Sequence, residues 1–404
     1  MYLSLFSFVF FYCSLIWGLP TTAGRNDVVR DYFTTPIRVL LDKGQQEIPI
    51  TSLLNSTYAK EQAGDEWTLL PGKVRVSLSL NKKTILVNQI PFKGSVVYLR
   101  GGAQATDPIR YRSQLYRGAL KITLTAEGLL ITNVIPLENY LYGMLAGEMS
   151  PSWEMEALKA QVVASRTYAM YMLKHPKHSL YDLEKGTADQ VYLGANGESE
   201  RAKIAVESTR DQVITHNNSP IKSYYHSRCG GTTESTKKVW NDSEKHLTAS
   251  VPCPYCQKFP YLWKAHVKTK DFFEILNLSG TEKKSFKILL AEKTATGRVK
   301  AIAIETGNQK HLISSDDLRH LLGYANVKSA RFELKTNTEN AKNAKNAKNA
   351  EDEIIFQGTG SGHGVGMCQW GAQFLAKQGK TYREILAHYY PSFHLYAPTP
   401  PLLP

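Results

Sequence analysis

The sequence predicts an α+β protein, in which a helical hairpin packs with β-rich segments and a small N-terminal β domain precedes the hairpin. Short runs of alternating and β-branched residues fill 70–135. Two stretches with apolar residues at helical spacing follow within 136–174. Residues 265–335 then combine two strand patterns with the pattern of a capped helix. A chain of 404 residues can bury a sizeable core, so we expect two or three domains.

The N-terminal 23 residues predict export. Residues 1–18 are apolar without an acid or a base, and the small residues after them offer a cleavage site following Ala23. Because no Lys or Arg precedes the apolar run, an uncleaved membrane anchor is the alternative. No other run is long enough to span a bilayer. We therefore expect the protein in the periplasm or cell envelope, with the membrane touched only through this segment.

The order of sequence patterns predicts the division of the chain. We place the regions as follows: signal peptide or anchor, 1–23; N-terminal β-rich region, 24–130; main region, 131–393, containing an α+β subdomain at 265–335 and a flexible Asn-Ala-Lys insertion at 336–353; disordered Pro-rich tail, 394–404. Residues 24–50 show little periodicity and are expected to be an extended lead-in. We interpret the β-rich region as a structural platform, with a carbohydrate contact as the alternative.

The net charge of +13 indicates an anionic partner, such as a nucleic acid, a membrane surface or a carboxylate-bearing polymer. The chain has no RNP-type motif, no zinc-finger spacing and no concentrated basic helix. We therefore expect no nucleic acid partner.

Two helices are predicted to meet at Glu148. Pro136 suits the first turn of the first helix, and Gly147 is expected to end that helix in a left-handed conformation. Ser152 is the expected N-cap of the second helix. Glu148 is therefore a short-tethered carboxylate at the electronegative end of a helix.

The pKa of Glu148 depends on two opposing effects. The C-terminal end of a helix disfavours ionisation and raises the pKa towards that of a general acid. Lys159 and Arg166 share a neighbouring face of the second helix, and either cation would lower the pKa if it lay close to Glu148. An ordinary glutamate between two helices is the alternative interpretation.

The cysteines suggest a metal site. His226-x2-Cys229 and Cys253-x2-Cys256 are two close ligand pairs, and three thiolates with one imidazole fit tetrahedral zinc. In an oxidising compartment, Cys253 and Cys256 could instead form a disulfide. Cys368 is left over and is expected to be a small packed residue rather than a nucleophile.

A glycine-rich loop at 358–366 surrounds His363. The loop lacks the Lys-Ser/Thr pair of a phosphate-binding P-loop. Glycines around a histidine suggest that backbone approaches a ligand closely, whereas a demanding turn with a packed His363 is the alternative. Two helices are expected after the loop, at Gln369–Gln378 and Tyr382–Tyr389.

Three longer stretches in this order resemble a known family. They are GEMSPSWEMEALKAQVVASRTYAM, YYHSRCGGTTESTKKVW and GSGHGVGMCQWGAQFLAKQGKTYREILAHYYP. They resemble the three signatures of the stage II sporulation protein D (SpoIID)/LytB family, over roughly 130–393. The chain departs from the family in its Asn-Ala-Lys insertion and in Cys368, where many members carry Ser.

The resemblance implies a lytic transglycosylase that acts on bacterial peptidoglycan, with the Glu of the family's GEM motif, here Glu148, as catalytic acid/base. Glu148 would protonate the oxygen between N-acetylmuramic acid and N-acetylglucosamine, and the muramic 6-hydroxyl would close a 1,6-anhydro product. Lys159 and Arg166 match further functional positions. They would suit the free carboxylates of glycan strands that have lost their stem peptides.

The signatures also suggest further site residues. We predict substrate binding by the following residues: Lys159, Gln161, Arg166, Tyr225, His363 and Gln369. Some family members carry zinc through His and Cys, which agrees with a structural zinc at the following residues: His226, Cys229, Cys253 and Cys256. Two other functions stay open, namely a glycan-binding scaffold or activator of a cell-wall amidase, and a zinc hydrolase, although four protein ligands would leave that metal no open position.

Overall fold

The computed structural model describes residues 35–54, 56–61, 65–71, 73–79, 81, 83–240, 249–278, 286–306, 309–336 and 353–397. The predicted export segment, almost all of the Asn-Ala-Lys insertion and the last residues of the tail lie outside these ranges. Within the described part of the chain, no helix is both long enough and apolar enough to cross a membrane.

The N-terminal region is a β domain of two sheets that share one core. Its strands are β1 (Ile37–Gln45), β2 (Glu47–Ser52), β3 (Ser56–Lys60), β4 (Thr68–Pro71), β5 (Val74–Leu78), β6 (Ile85–Val87), β7 (Ile90–Pro91), β8 (Val96–Arg100), β9 (Ile109–Tyr111), β10 (Gln114–Tyr116), β11 (Ala119–Thr125) and β12 (Gly128–Ile135). The first sheet has the order β13-β1-β12-β11-β8-β3-β4, where β13 is Leu183–Glu184, and the second has the order β10-β9-β2-β5-β6-β7. The α+β prediction is confirmed, including the small N-terminal β domain.

Residues 37–52 are not part of an extended lead-in, so that prediction was wrong. β1 pairs antiparallel with β12 and lies inside the seven-stranded sheet. Consecutive residues Val39 and Leu40 are both buried, because Leu40 packs on the opposite face with Leu130 and Tyr181. A strand that is covered on both faces does not need alternating polarity, which explains why the sequence pattern missed it.

The two predicted helices are confirmed as α1 (Leu137–Glu148) and α2 (Met155–Lys174). Gly147 is not the left-handed stop that we expected, because it lies inside α1 and its φ is not positive. Glu154, rather than Ser152, directly precedes α2, and it makes no side-chain capping bond. Glu148 is the last residue of α1.

The remaining elements follow this hairpin in the chain. The helices are α3 (Glu200–Glu207), α4 (Thr236–Trp240), α5 (Pro254–Lys258), α6 (Thr269–Ile275), α7 (Ser315–Leu322), α8 (Gln369–Lys377) and α9 (Tyr382–Tyr389). The strands are β14 (Val213–His216), β15 (Ser219–Pro220), β16 (Tyr225–His226), β17 (Leu262–Lys268), β18 (Phe286–Lys293), β19 (Val299–Thr306), β20 (Gln309–Ser314), β21 (Phe332–Thr336), β22 (Glu353–Thr359), β23 (Met367–Cys368) and β24 (His394–Tyr396).

Two strand pairings join distant parts of the chain. β16 pairs in parallel with β23, which places the second and third signature stretches side by side. β24 pairs with β14, so residues 394–396 belong to a sheet and not to the disordered tail that we predicted.

Residues 262–359 build a second apolar core. One sheet has the order β17-β22-β21 and the other the order β18-β19-β20. Phe272, Phe356, Ile302 and Leu318 are fully buried between these sheets, α6 and α7. The predicted strand pair around Thr296-Gly297 is β18 with β19, and the predicted capped helix is α7, whose N-cap Ser314 accepts a hydrogen bond from the Asp317 N–H.

Two ion pairs fix the cations of α2. Arg166 is completely buried and donates two hydrogen bonds of 2.7 Å to the Glu138 carboxylate of α1. Lys159 lies nearer the surface and donates to Glu156 at 2.8 Å, one helical turn away. The Arg166 guanidinium also donates to backbone carbonyls at Gln212 and Val206, so it ties α2 to the chain around α3.

We expect Arg166→Met to lower the free energy of unfolding by about 3–5 kcal/mol, because it leaves the Glu138 carboxylate buried and unpaired. Lys159→Met is the matched control and should cost below about 1 kcal/mol, since its pair with Glu156 is partly solvated. Urea denaturation followed by circular dichroism measures both values. Equal costs for the two variants would contradict the structural role of Arg166.

Candidate active site

Glu148 ends α1 against a segment of backbone that approaches the helix closely. A Cβ on Gly147 would overlap the Val191 carbonyl oxygen, and one on Gly143 would overlap the Gly194 carbonyl oxygen. Glycines four residues apart on one helix face therefore form the groove that holds 191–194. In this position the Val191 N–H donates to Oε1 of Glu148 at 2.6 Å.

The other neighbours of the Glu148 carboxylate are neutral amide and hydroxyl groups. Gln369, the first residue of α8, directs Nε2 towards Oε2 of Glu148 and towards Oε1 of Gln161, both at 3.4 Å. Gln161 in turn donates to the Ser165 hydroxyl at 2.9 Å. The Tyr225 hydroxyl lies beside Glu148, although among the described residues it has no hydrogen-bond partner of good geometry. The site therefore holds one carboxylate in a polar but uncharged surrounding.

Burial raises the pKa of Glu148 above its ordinary value, and the hydrogen bonds from Val191, Gln369 and Tyr225 only partly oppose this shift. The two cations that could have reversed it are bound elsewhere, because Lys159 pairs with Glu156 and Arg166 pairs with Glu138. The raised pKa agrees with the expectation for a general acid at this helix end.

The pH dependence of stability tests this burial. Because the folded-state pKa of Glu148 is raised, its stabilising contribution is complete below the ordinary value of 4.5 and is lost as pH rises through the folded-state pKa. We expect Glu148→Gln to unfold at higher urea than wild type near pH 8, and to lose that advantage near pH 4.

The control for this experiment is Glu156→Gln, which should behave in the opposite way. Burial raises the pKa of Glu156, but the hydrogen bonds from Lys159 and the Tyr382 N–H outweigh it and lower the pKa overall. Glu156 therefore stabilises the fold above its ordinary pKa, and its replacement should cost stability near pH 8 but not near pH 3. A Glu148→Gln protein that is less stable than wild type at every pH would contradict the raised pKa.

Four cysteines form a buried cluster beside this site. The Sγ atoms of Cys229, Cys253, Cys256 and Cys368 lie within 4.8 Å of one another. Our predicted ligand set is therefore corrected at one position, because Cys368 and not His226 completes the group. His226 Nδ1 lies 3.0 Å from the Val365 carbonyl oxygen, outside the cluster. Burial and the nearby Arg298 cation lower the pKa of His226 to about 3, so its imidazole is neutral.

The cluster suits a metal ion held by four thiolates. All four cysteines are buried and free, so the structure does not contain the alternative disulfide between Cys253 and Cys256. Tetrahedral zinc with four sulfur ligands separates neighbouring sulfurs by about 3.8 Å. The Cys256 and Cys368 sulfurs are 3.6 Å apart, which is close to that separation. Buried sulfur donors at this spacing are compatible with a structural metal.

The remaining predicted site residues fall into three groups. Arg166 is buried in the ion pair with Glu138, so it cannot contact a substrate as we predicted, and Gln161 is fully buried behind Gln369. Tyr225 and Gln369 adjoin Glu148. His363 is half-buried and packs against the rings of the following residues: Tyr224, His226 and Trp240.

Sequence patterns did not identify Val191 or Ser165 as site residues. Val191 acts through its backbone N–H, which every residue except proline possesses, so its side chain gives no signal. The only available signal was the pair Gly143 and Gly147, spaced by one helical turn in α1.

Comparison with known proteins places this geometry in a family. Residues 125–216, which contain Glu148, match the model of a family described as stage II sporulation protein. Residues 256–366 match a family described only as a domain of unknown function.

Curated relatives cover most of the chain. Stage II sporulation protein D of Bacillus subtilis is 33% identical over 277 residues, which is 63% of this chain and 73% of that protein. An uncharacterised protein of Brachyspira hyodysenteriae is 33% identical over 315 residues, or 77% of this chain and 79% of that protein. The amidase enhancer of Bacillus subtilis is 29% identical over 297 residues, or 62% of this chain and 39% of that protein.

Fold, site and relatives together define a cell-wall-related protein of mixed α+β architecture. The chain belongs to the stage II sporulation protein D family.

Proposed function

We propose that the protein is a lytic transglycosylase that cleaves the β-1,4 bond between N-acetylmuramic acid and N-acetylglucosamine in peptidoglycan. The observation that carries this proposal is the Glu148 carboxyl, which is buried at the end of α1 among neutral donors and has a raised pKa. A general acid must hold its proton near neutral pH and release it to the leaving oxygen, and burial without a neighbouring cation favours the protonated form.

The contacts of Glu148 suggest which oxygen carries the proton. Oε1 accepts the 2.6 Å hydrogen bond from the Val191 N–H, whereas Oε2 has only the 3.4 Å contact with the Gln369 amide, so we place the proton on Oε2. From Oε2 it passes to the glycosidic oxygen as the bond to the muramic anomeric carbon breaks. The carboxylate then takes the proton of the muramic 6-hydroxyl, whose oxygen bonds to that carbon and closes the 1,6-anhydro ring.

This reaction needs one carboxylate. Most glycosidases use two, because an external water or an enzyme nucleophile must also be activated. Here the nucleophile belongs to the substrate, and the single carboxyl group acts first as an acid and then as a base. Gln369 and Tyr225 contact Glu148 and are the residues that we expect to adjust its position when the sugar binds.

We propose peptide-free glycan strands as the substrate. Their lactyl carboxylates are anionic, and the chain carries a net charge of +13. The predicted export signal at 1–23 would deliver the protein to the periplasm or cell envelope, where this polymer lies.

The decisive measurement is mass spectrometry of products from purified, peptide-free glycan strands. We expect wild type to release products with 1,6-anhydro-muramic ends, and Glu148→Gln to lower their rate of release by about 10²–10⁴-fold. Glu156→Gln, which removes a nearby carboxylate that is paired with Lys159, should retain activity. Products with ordinary reducing ends would exclude the transglycosylase reaction.

A second candidate function is activation of a cell-wall amidase without catalysis, which the similarity to the amidase enhancer favours. In that case Glu148→Gln would leave glycan binding and the stimulation of an amidase unchanged, and wild type would release no anhydro product.

We further propose that the four-cysteine cluster holds zinc. Cys229, Cys253, Cys256 and Cys368 would be its ligands, and four protein ligands leave no open position for a substrate or water. Bound zinc would therefore supply a structural cross-link between the second and third signature stretches.

The cysteine assignment predicts a clear difference between two variants. Cys368→Ser should lose most of the zinc and lower the unfolding midpoint by about 5 °C or more. His226→Gln should retain one zinc per chain, because its ring lies outside the cluster. Elemental analysis and thermal unfolding measure both effects, and loss of zinc from His226→Gln alone would overturn the four-cysteine site.

A further inference from the structure

A narrow cavity lies between α7, the strand pair β18–β19 and the loop around His363. The cavity measures about 20 Å³. It is lined by the following residues: Lys238, Val239, Thr294, Arg298, Val299, Lys300, Ser315, Asp316, Arg319, Ala330 and His363. The cavity is separate from the Glu148 site. Tyr225 and His226 are successive residues of β16, so their side chains point to opposite faces of the strand. Tyr225 lies beside Glu148, whereas His226 lies beside His363, which lines the cavity.

Two buried polar side chains that line this cavity lack hydrogen-bond partners. Arg298 is 1% exposed, and neither its Nε nor its Nη1 has a partner among the described residues. Ser315, the first residue of α7, is 5% exposed, and its hydroxyl is also unpartnered within those residues. Buried polar groups are nearly always hydrogen-bonded, so two unpartnered groups on one cavity point to a missing partner.

Arg298 is held in place by its third nitrogen. Nη2 donates to the carbonyl oxygens of Cys229 and Thr232. The guanidinium lies directly over Gly364, where any Cβ would overlap it. These contacts fix the orientation of the guanidinium.

Other charges around the cavity are bound elsewhere. Lys238 lies 3.6 Å from Glu234, and Lys300 lies 2.6 Å from Glu292. Arg319 donates to the carbonyl oxygens of Val327 and Lys328.

Two carboxylates lie near the cavity. Glu234 acts on Arg298 through space, but its oxygens accept hydrogen bonds from the Ser235 N–H and the Ser250 hydroxyl. Asp316 lines the cavity and acts electrostatically on Arg319. Neither carboxylate is hydrogen-bonded to the free nitrogens of Arg298. The Cys229 side chain also acts on Arg298 through space, yet Nε and Nη1 have no direct hydrogen-bond partner among the described residues, and such buried donors are nearly always bonded.

We propose that this cavity binds a small carboxylate, with Arg298 as its cation and the Ser315 hydroxyl as a second donor. The space admits one or two oxygen-sized atoms, which fits the end of a carboxylate better than a phosphate or sulfate group. The carboxylate is either a free organic acid or the lactyl group of a muramic sugar. In both cases it pairs with a guanidinium that also donates to the Cys229 carbonyl oxygen and lies against Gly364.

The test uses thermal unfolding of the full protein with sodium acetate, against sodium chloride at equal ionic strength. We expect acetate near ten times its dissociation constant to raise the unfolding midpoint by about 3 °C more than chloride. Ser315→Ala should weaken the acetate response roughly tenfold, because it loses a hydrogen bond to a charged group. Thr306→Val is the matched control, since its hydroxyl is also buried and has no partner among the described residues, but lies outside the cavity. Its acetate response should equal that of wild type.

A direct readout is the Arg298 Nε–H signal in a ¹H–¹⁵N spectrum. The signal is assigned by its loss in Arg298→Lys, and it should shift on addition of acetate.

N-acetylmuramic acid and N-acetylglucosamine distinguish a muramic lactyl group from a free organic acid as the ligand, since only N-acetylmuramic acid carries the lactyl carboxylate. Glu148→Gln should respond as wild type does, so this result is independent of the transglycosylase proposal. Two outcomes would overturn the carboxylate site and leave water as the occupant. In the first, acetate and N-acetylmuramic acid raise the unfolding midpoint no more than chloride does. In the second, acetate raises the midpoints of wild type and Ser315→Ala by the same amount.

Discussion

The close approach of backbone 191–194 to α1 is the contact on which the candidate active site depends. Gly143 and Gly147 have no side chains, so this segment can lie against the helix and direct the Val191 N–H to Glu148. A backbone donor orients the carboxylate without adding charge, whereas a Lys or Arg in the same place would stabilise the ionised form. The environment of the acid is thus determined by two glycines that carry no chemistry themselves.

The same hairpin keeps its cations away from Glu148. Arg166 and Lys159 each have a carboxylate partner within the two helices, Glu138 and Glu156 respectively. Neither cation is among the groups that act on the pKa of Glu148, so burial determines the direction of its shift.

Local sequence patterns predicted the elements well but not the long-range partners. The bounds of α1, α2 and α8 follow from helical periodicity and were predicted to within a few residues. β1 was missed, because a strand that is buried on both faces has no alternating pattern. Spacing correctly grouped Cys253 with Cys256 but chose His226 over Cys368, whose sulfur lies 3.6 Å from that of Cys256 although the two residues are 112 positions apart in the sequence. No sequence pattern could show that Nε and Nη1 of the buried Arg298 lack hydrogen-bond partners among the described residues.

The pairing of β16 with β23 connects the cysteine cluster to the acid. On β16, Tyr225 adjoins Glu148, and on β23, Cys368 belongs to the cluster. Gln369 follows Cys368 directly and begins α8, with its amide directed towards Oε2 of Glu148. The position of Cys368 therefore constrains where Gln369 begins α8, because adjacent Cα atoms are about 3.8 Å apart. The buried cluster and the carboxyl group thus share one corner of the chain, where Tyr225 and Gln369 adjoin Glu148.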